Sequence, residues 1–261
     1  MTGQPPKKPE KTILETVNHF LTSHPELVAP VQTIVSEKWG RHPYDVNFIY
    51  ELNKSLLAKS EAQLRQDIFV LHHLGFKRDG FFVEFGAASG RALSNTYLLE
   101  KEFNWSGIVA EPARHWHEML AANRSCHIET ACVWHTSGER LMFLEVANPE
   151  LSSIDHFADA DSHAKDRREG HNYEVETISL MDLLEKYDAP KRIDYLSVDT
   201  EGSEFEILQA FDFGRYDIEV ITVEHNFTAQ RDELYRLLTS NGYVRTLEHI
   251  SRFDDWYIKR T

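Results

Sequence analysis

The sequence has only two cysteines, Cys126 and Cys132, among 261 residues. Two cannot build a disulfide framework, and neither has partners at zinc-site spacing, so both are expected reduced and packed. No apolar run approaches the roughly 20 residues a membrane span needs. Residues 1–9 carry prolines and lysines where a signal peptide needs an apolar stretch, so a cytoplasmic chain without membrane attachment is expected. Positive charge is scarce as well, with 28 Lys and Arg against 42 Asp and Glu and a net charge of −14. A nucleic-acid backbone rewards clustered cations, so nucleic acid is not an expected partner. What is present suffices for a folded domain, since 41% hydrophobic content over this length can fill a core.

The first ten or so residues, rich in Pro and Lys, are expected to be disordered. Ile13, Leu14, Val17, Phe20 and Leu21 then recur at helical spacing, predicting a short helix that ends near His24 and Pro25. The polar, aromatic stretch 39–45 reads as a loop. Ser60 with Gln63 fits a capping box, and Leu64, Ile68, Leu71 and Leu74 mark one face of a helix that stops at Gly75. Residues 1–75 are thus an N-terminal tail and helical segment, and 76–261 the main domain. From Phe81 on, short apolar runs alternate with helical segments, the signature of an α/β fold with a mostly parallel sheet covered on both faces. Strands are predicted at 81–85, 107–111, 127–133, 173–178, 193–198 and 220–223. Two more, at 243–247 and 256–258, can close one sheet edge as a hairpin. Helices are predicted over 93–103, around Trp116 to Leu120, from Ser179 with Asp182 as its cap pair, and over Leu234 to Leu238. Residues 155–172, dense in Asp, His, Lys and Arg, read as a mobile surface loop.

In such sheets, ligands collect at the carboxyl ends of strands near the point where strand order reverses. After the first strand come Glu84, Gly86, Ala87, Ala88, Ser89 and Gly90, an acid followed by two glycines enclosing small residues. Small side chains let backbone N–H groups approach a ligand, and the next helix would present its N-terminus to an anionic group. A dinucleotide site would want G-x-G-x-x-G, and Ala88 stands at the second glycine. At the end of the second strand, Glu111 before Pro112 can accept both hydroxyl protons of a ribose. The two acids after successive strands point to an adenosine-bearing ligand.

Phe82-Val83-Glu84-Phe85-Gly86, the run from Leu93 through Ser94-Asn95-Thr96 to Lys101, Trp105-Ser106-Gly107 and Glu111-Pro112 resemble the FkbM family of methyltransferases. A second block, Ile193 through Asp199-Thr200-Glu201-Gly202-Ser203-Glu204 to Leu208, is also similar to that family. The resemblance covers roughly Phe81 to the C-terminus. It implies a class I methyltransferase fold, Rossmann-like, with a seven-stranded sheet, S-adenosylmethionine as donor and O-methylation of a sugar or natural product. Glu84, Gly86, Ala87, Ser89, Gly90, Asn95, Glu111 and Pro112 would line the donor site. Ala88-Ser89 depart from the polar Asn or Thr with Asp that family members often carry there.

Methyl transfer to a hydroxyl needs an aligned acceptor and a destination for one proton. Asp199, Glu201 and Glu204 follow the fourth core strand, and Glu224-His225-Asn226 the fifth. Two mechanisms fit: Asp199, Glu224 and His225 hold a divalent cation such as Mg²⁺, or Asp199 or His225 acts as general base, with Glu201 beside them. The bland alternatives are that Asp199 caps the next helix and that Glu204 and Glu206 are first-turn acids. Asp194 would order the start of its strand or meet a surface cation. His115 and His117 lie two apart on a helix and face different sides, and His72-His73 are expected at the surface or satisfied in the core. His156, His163 and His171 could belong to a lid that grips the acceptor. Competing functions are N-methylation of an amine and a catalytically silent adenosyl-binding module. The expected partner is a small-molecule or carbohydrate acceptor, and a homo-oligomer is compatible with the sequence.

Overall fold

The protein was characterised as a computed structural model that describes residues 56–146, 153–154 and 170–260. The predicted helix near residue 17, the loop at 39–45, residues 155–169 of the loop predicted at 155–172, and His156 and His163 lie outside the described residues; residues 170–172 of that loop are strand instead. The chain divides into two units, one formed by Met1–Ser60 and Arg65–Arg78, the other by Glu61–Leu64 and Asp79–Thr261.

In the first unit, helix α1 spans Gln66–His73. The predicted capping box is not formed, because the helix begins six residues after Ser60. Ser60 Oγ instead donates to Asp67 Oδ1 at 2.7 Å, and Asp67 also accepts from the Ile68 amide at 2.8 Å. The predicted stop at Gly75 is present. Gly75 adopts φ +60°, and Phe76 N donates to Leu71 O at 2.7 Å, which closes the last turn in a Schellman arrangement. His72 is buried in this helix.

The second unit is built on a seven-stranded sheet. Its strands are β1 (Phe81–Phe85), β2 (Ser106–Ala110), β3 (His127–Glu129), β8 (Arg192–Val198), β9 (Asp217–Glu224), β10 (Tyr243–Thr246) and β11 (Asp254–Lys259). The order is β10-β11-β9-β8-β1-β2-β3, and β11 alone runs antiparallel to its neighbours. Runs such as Ile193–Val198, buried at every position, form strands because β-branched and aromatic side chains fit a pleated surface covered on both faces. The chain steps from β1 to β2 and β3 on one side, and returns through β8 and β9 on the other. Strand order therefore reverses at β1, and the carboxyl ends of β1 and β8 flank the crevice this topology creates. The predicted terminal hairpin is formed, with β11 rather than β10 against β9.

Helices α2 (Tyr97–Phe103), α3 (His117–Asn123, after a 3-10 turn over Arg114–Trp116), α4 (Leu180–Lys186), α5 (Glu204–Gln209) and α6 (Gln230–Ser240) complete the unit. Ser179 caps α4 as predicted, accepting from Asp182 N at 3.1 Å. Leu183, Leu184, Leu234 and Leu238 are fully buried against Val83, Leu196, Ile221 and Tyr257.

Three elements differ from expectation. The strand predicted over 127–133 is two strands, because Glu129 Oε1 accepts from the amides of Thr130 (2.9 Å) and Ala131 (3.0 Å) and turns the chain there. Its second half, β4 (Cys132–Trp134), joins β5 (Arg140–Val146), β6 (Ser153–Ile154) and β7 (Gly170–Ser179) in a separate sheet of order β4-β7-β5-β6. The helix predicted from Leu93 starts only at Tyr97, for a reason that lies in the site.

Candidate active site

Gly86 opens the turn after β1 with φ +71°, and a Cβ there would lie 1.9 Å from the Asp199 carbonyl oxygen. The backbones of the β1 and β8 ends thus touch at a position only glycine fits. Gly86 N and Ala87 N both donate to Ala110 O, at 3.1 and 3.3 Å, and Gly90 N donates to Ala87 O at 2.7 Å. Ala88 takes φ +45° and donates its N–H to Glu111 Oε2 at 2.8 Å. Ser89 Oγ accepts from Ala92 N at 3.2 Å, and Ser89 O from Asn123 Nδ2 at 2.8 Å. The turn is preorganised, but the N–H groups of Gly86, Ala87, Ala88 and Gly90 already have partners inside the protein. No helix N-terminus stands directly behind it either, since α2 begins eleven residues after Gly86.

Glu84 explains that delay. Its buried carboxylate accepts from Ser94 Oγ (3.0 Å), Asn95 N (2.7 Å), Thr96 Oγ1 (2.5 Å) and Arg124 Nη1 (3.3 Å). These bonds hold 94–96 out of the helix and fill the roughly four lone-pair positions a carboxylate offers. Glu84, expected at the donor, has no capacity left for one and acts as an internal anchor. Asn95 is placed by it, and its Nδ2 donates to Ser197 Oγ at 2.9 Å while Oδ1 is buried without a partner.

Glu111 differs. Its two oxygens accept one amide each, Ala88 N and Ala113 N, both at 2.8 Å, so each keeps a lone pair. Burial pushes its carboxyl up to about 7, against the pull of those two N–H groups and with a small push from Glu145. Pro112 beside it lines an open cleft of about 760 Å³ with Thr130, Ala131 and Ile178. His117 Nε2 meets Glu111 O at 3.0 Å, so His115 and His117 form no joint cluster.

Beyond β8, ligand oxygens of Asp199, Glu201 and Glu224 lie within 4.8 Å of one another. Burial, reinforced by Asp254, pushes Asp199 up to about 8, although its hydrogen bond to Glu224 opposes the rise. Burial and the Asp199 charge hold Glu224 well above the carboxylate range, and its Oε2 has no hydrogen-bond partner. Two hydrogen-bonded acids in such a setting share a proton. Glu201 adopts φ +58°, uncommon for a residue with a side chain. Glu204 accepts from Thr200 N (2.9 Å) and Gly202 N (3.0 Å), bracing this loop from the first turn of α5. Ser203, not Asp199, stands at the N-cap of α5. A second cavity, of about 230 Å³, lies beside Glu224, lined by Gly202, Glu204, Asn226 and Thr228.

His225 is not brought into this group. Successive residues at a strand end point to opposite faces, and Asp254 pairs with Glu224 while Asp255 pairs with Val223. The His225 ring lies with Asp255, whose Oδ1 is 3.7 Å from Nε2, and its Nδ1 accepts from Phe227 N at 3.0 Å. Nε2 therefore carries the proton, and burial lowers the ring's affinity for another. His225 thus stands outside the Asp199, Glu201 and Glu224 group, while it lines the cavity beside Glu224 and its Nε2 is buried without a hydrogen-bond partner. Asp255 in turn takes Arg231 Nε and Nη2 (3.0 and 2.8 Å) and Arg245 Nη1 (3.1 Å). Asp194 accepts from Phe81 N at 2.9 Å and so orders the start of β1. Burial pushes both cysteine thiols up to about 12, in keeping with packing roles.

Three residues escaped the sequence reading. Arg124 carries no local signal at all. Asp254 and Asp255 carry one, an acid pair opening the closing strand ahead of Trp256, Tyr257 and Ile258.

A family model described as the methyltransferase FkbM domain matches residues 84–245, which span β1 to β10 and both acid groups. The chain belongs to this family. FkbM membership makes it a methyltransferase by family, with its α/β fold read from the strand order above. Among solved structures, a precorrin-6y C5,15-methyltransferase from Geobacter metallireducens GS-15 is similar at 14% identity, with 74% of this chain and 85% of that one covered and a TM-score of 0.41. A protein assigned provisionally as a sarcosine dimethylglycine methyltransferase from Galdieria sulphuraria is similar at 11% identity, covering 70% and 62%, with a TM-score of 0.32. Scores this low carry no functional inference. No curated protein matches the sequence. Among the described residues, no helix is long and apolar enough to cross a membrane.

Proposed function

We propose that this FkbM chain transfers a methyl group from S-adenosylmethionine to a hydroxyl of a neutral sugar or small natural product. The observation that carries the reading is the contrast between two acids at neighbouring strand ends, Glu84 saturated and Glu111 buried with one lone pair left on each oxygen. Those lone pairs suit the two hydroxyls of a ribose, and the orphaned Asn95 Oδ1 suits an ammonium donor. The cleft that reaches Pro112, the one donor-site residue in its wall, has the volume of a whole-ligand site, about 300–1,000 Å³, while the cavity beside Glu224 is smaller and takes a ring or side group.

When bound, the sulfonium supplies the methyl group, and breaking its S–C bond leaves a neutral thioether. Once the pair has lost its first proton, Asp199 and Glu224 hold the remaining one between them and accept the acceptor's hydroxyl proton as the O–C bond forms. Crowded acids at this end disfavour phosphorylated or carboxylated acceptors. Calorimetry with S-adenosylmethionine and with its demethylated product tests the donor claim, and a chain that binds neither ends it. Mass-spectrometric acceptor screening separates O- from N-methylation. Donor binding without any methylated product would make the chain a silent binding module. Turnover that stops on exhaustive chelation and returns with magnesium would reassign the carboxylates to a cation.

Donor affinity should depend on pH through Glu111. Its carboxyl must be ionised to accept both hydroxyls, so affinity is expected to be flat above about pH 7 and to fall by up to about tenfold per unit below it. Titrating donor affinity from pH 5.5 to 8.5 checks this, with Glu111→Gln expected to flatten the profile at weak binding.

A further inference from the structure

We infer that Arg124, which touches none of the proposed donor contacts, sets donor affinity by holding the β1 turn and segment 94–96 in place; the inference rests on the donor reading above. Arg124 follows α3, and its side chain is fully buried against Glu84 and Glu100. Nε donates to Glu100 Oε2 at 2.6 Å, and Nη2 to Thr96 Oγ1 at 2.8 Å. Nη1 reaches Glu84 Oε2 (3.3 Å), Gly90 O (3.2 Å) and Ser94 Oγ (3.1 Å). One flat fork thus ties together the end of β1, the close of the turn, the 94–96 segment and α2. An ammonium, a point charge on a flexible stem, cannot reach all of these at once.

The connection to the donor runs through bonded neighbours. Arg124 holds Gly90 O, Gly90 N holds Ala87 O, and Ala88 N holds Glu111. Contact is tight, since a Cβ on Gly90 would lie 2.7 Å from Arg124 Cγ and 2.6 Å from Leu120. Glu84 is tolerated as a buried carboxylate because this buried cation faces it. Losing the fork frees the Gly90 carbonyl, and with it the Ala88 N–H that helps keep Glu111 ionisable against burial and Glu145.

Arg124 is therefore a positioning residue. Its test is Arg124→Lys in the full chain, with S-adenosylmethionine affinity measured by calorimetry across pH and the melting midpoint recorded alongside. The expected result is donor binding at least tenfold weaker at pH 8, with the inflection of the pH profile displaced above that of the wild type. A folded R124K chain with wild-type affinity and an unmoved inflection overturns the inference while the donor reading stands. Weaker binding with an unmoved inflection also overturns it, because general loosening would explain the loss. A wild-type chain that does not bind the donor removes both. Should R124K not fold, Glu100→Gln, which weakens the Nε anchor together with the Ser125 and Lys101 contacts of the same carboxylate and leaves the Nη1 and Nη2 bonds in place, is expected to cost at least threefold in affinity with the same upward displacement, and wild-type behaviour there overturns the inference.

Discussion

Asp199→Asn is expected to lower turnover at least about a hundredfold, within the 10²–10⁴ that positioned acid–base groups contribute, and to leave donor affinity within about threefold. The substitution keeps size and hydrogen-bonding capacity toward Glu224 but removes one of several acids packed at the β8 and β9 ends. Asp199 is already held toward its protonated form by burial and by Asp254. A neutral amide there relieves repulsion, so the melting midpoint should stay level or rise. Lost turnover in a chain that is no less stable is the signature of a group that acts on the acceptor. The experiment needs an acceptor from the screen above, single-turnover rates and a melting curve. Turnover within about fivefold of the wild type would remove Asp199 from the chemistry and leave Glu224 and Glu201 to be tried.

The parallel core was legible because its strands are short apolar runs with no alternation, and burial on both faces leaves that mark in any sequence. The second sheet was not. Its β5 and β7 pair residues as far apart as Arg140 and Glu176, and nothing local in either strand specifies that partner. Glu129 shows a different limit: a glutamate between Ile128 and Thr130, both at home in a sheet, reads as part of a strand until its side chain is seen capping two amides downstream. The same holds for Glu84. As a residue type at a strand end it reads like Glu111, and what separates them is the set of donors that segment 94–96 and Arg124 bring from 10 to 40 positions away. His225 was a nearer miss: it follows β9 and lines the cavity beside Glu224, but it is not among the acids grouped at Asp199, and its Nδ1 is taken by the Phe227 amide.

Gly86→Ala is the substitution expected to do the most damage to the crevice, and Gly138 supplies its control. Both glycines have positive φ, +71° and +80°, so an alanine at either one costs the left-handed conformation, about 1–2 kcal/mol. At Gly138 the new methyl meets nothing within 4 Å, whereas at Gly86 it falls 1.9 Å from the Asp199 carbonyl oxygen. That obstacle is backbone at the end of a strand paired on both sides, and it cannot move without dragging β8 or β1. The overlap should add about 1–3 kcal/mol. For a domain of this size that is roughly a further 2–12 °C in melting midpoint beyond the loss in Gly138→Ala. Since the displaced atom belongs to Asp199, the Gly86 variant that remains folded should also turn over at least about tenfold more slowly, an order of magnitude set by the effect of misplacing a reacting group. Gly138 lines the cleft beside Pro112, so Gly138→Ala is the control for melting alone. If the two alanine variants melt together and the Gly86 variant turns over like the wild type, the close contact between β1 and β8 does not organise the site, and the crevice must be formed by other parts of the chain.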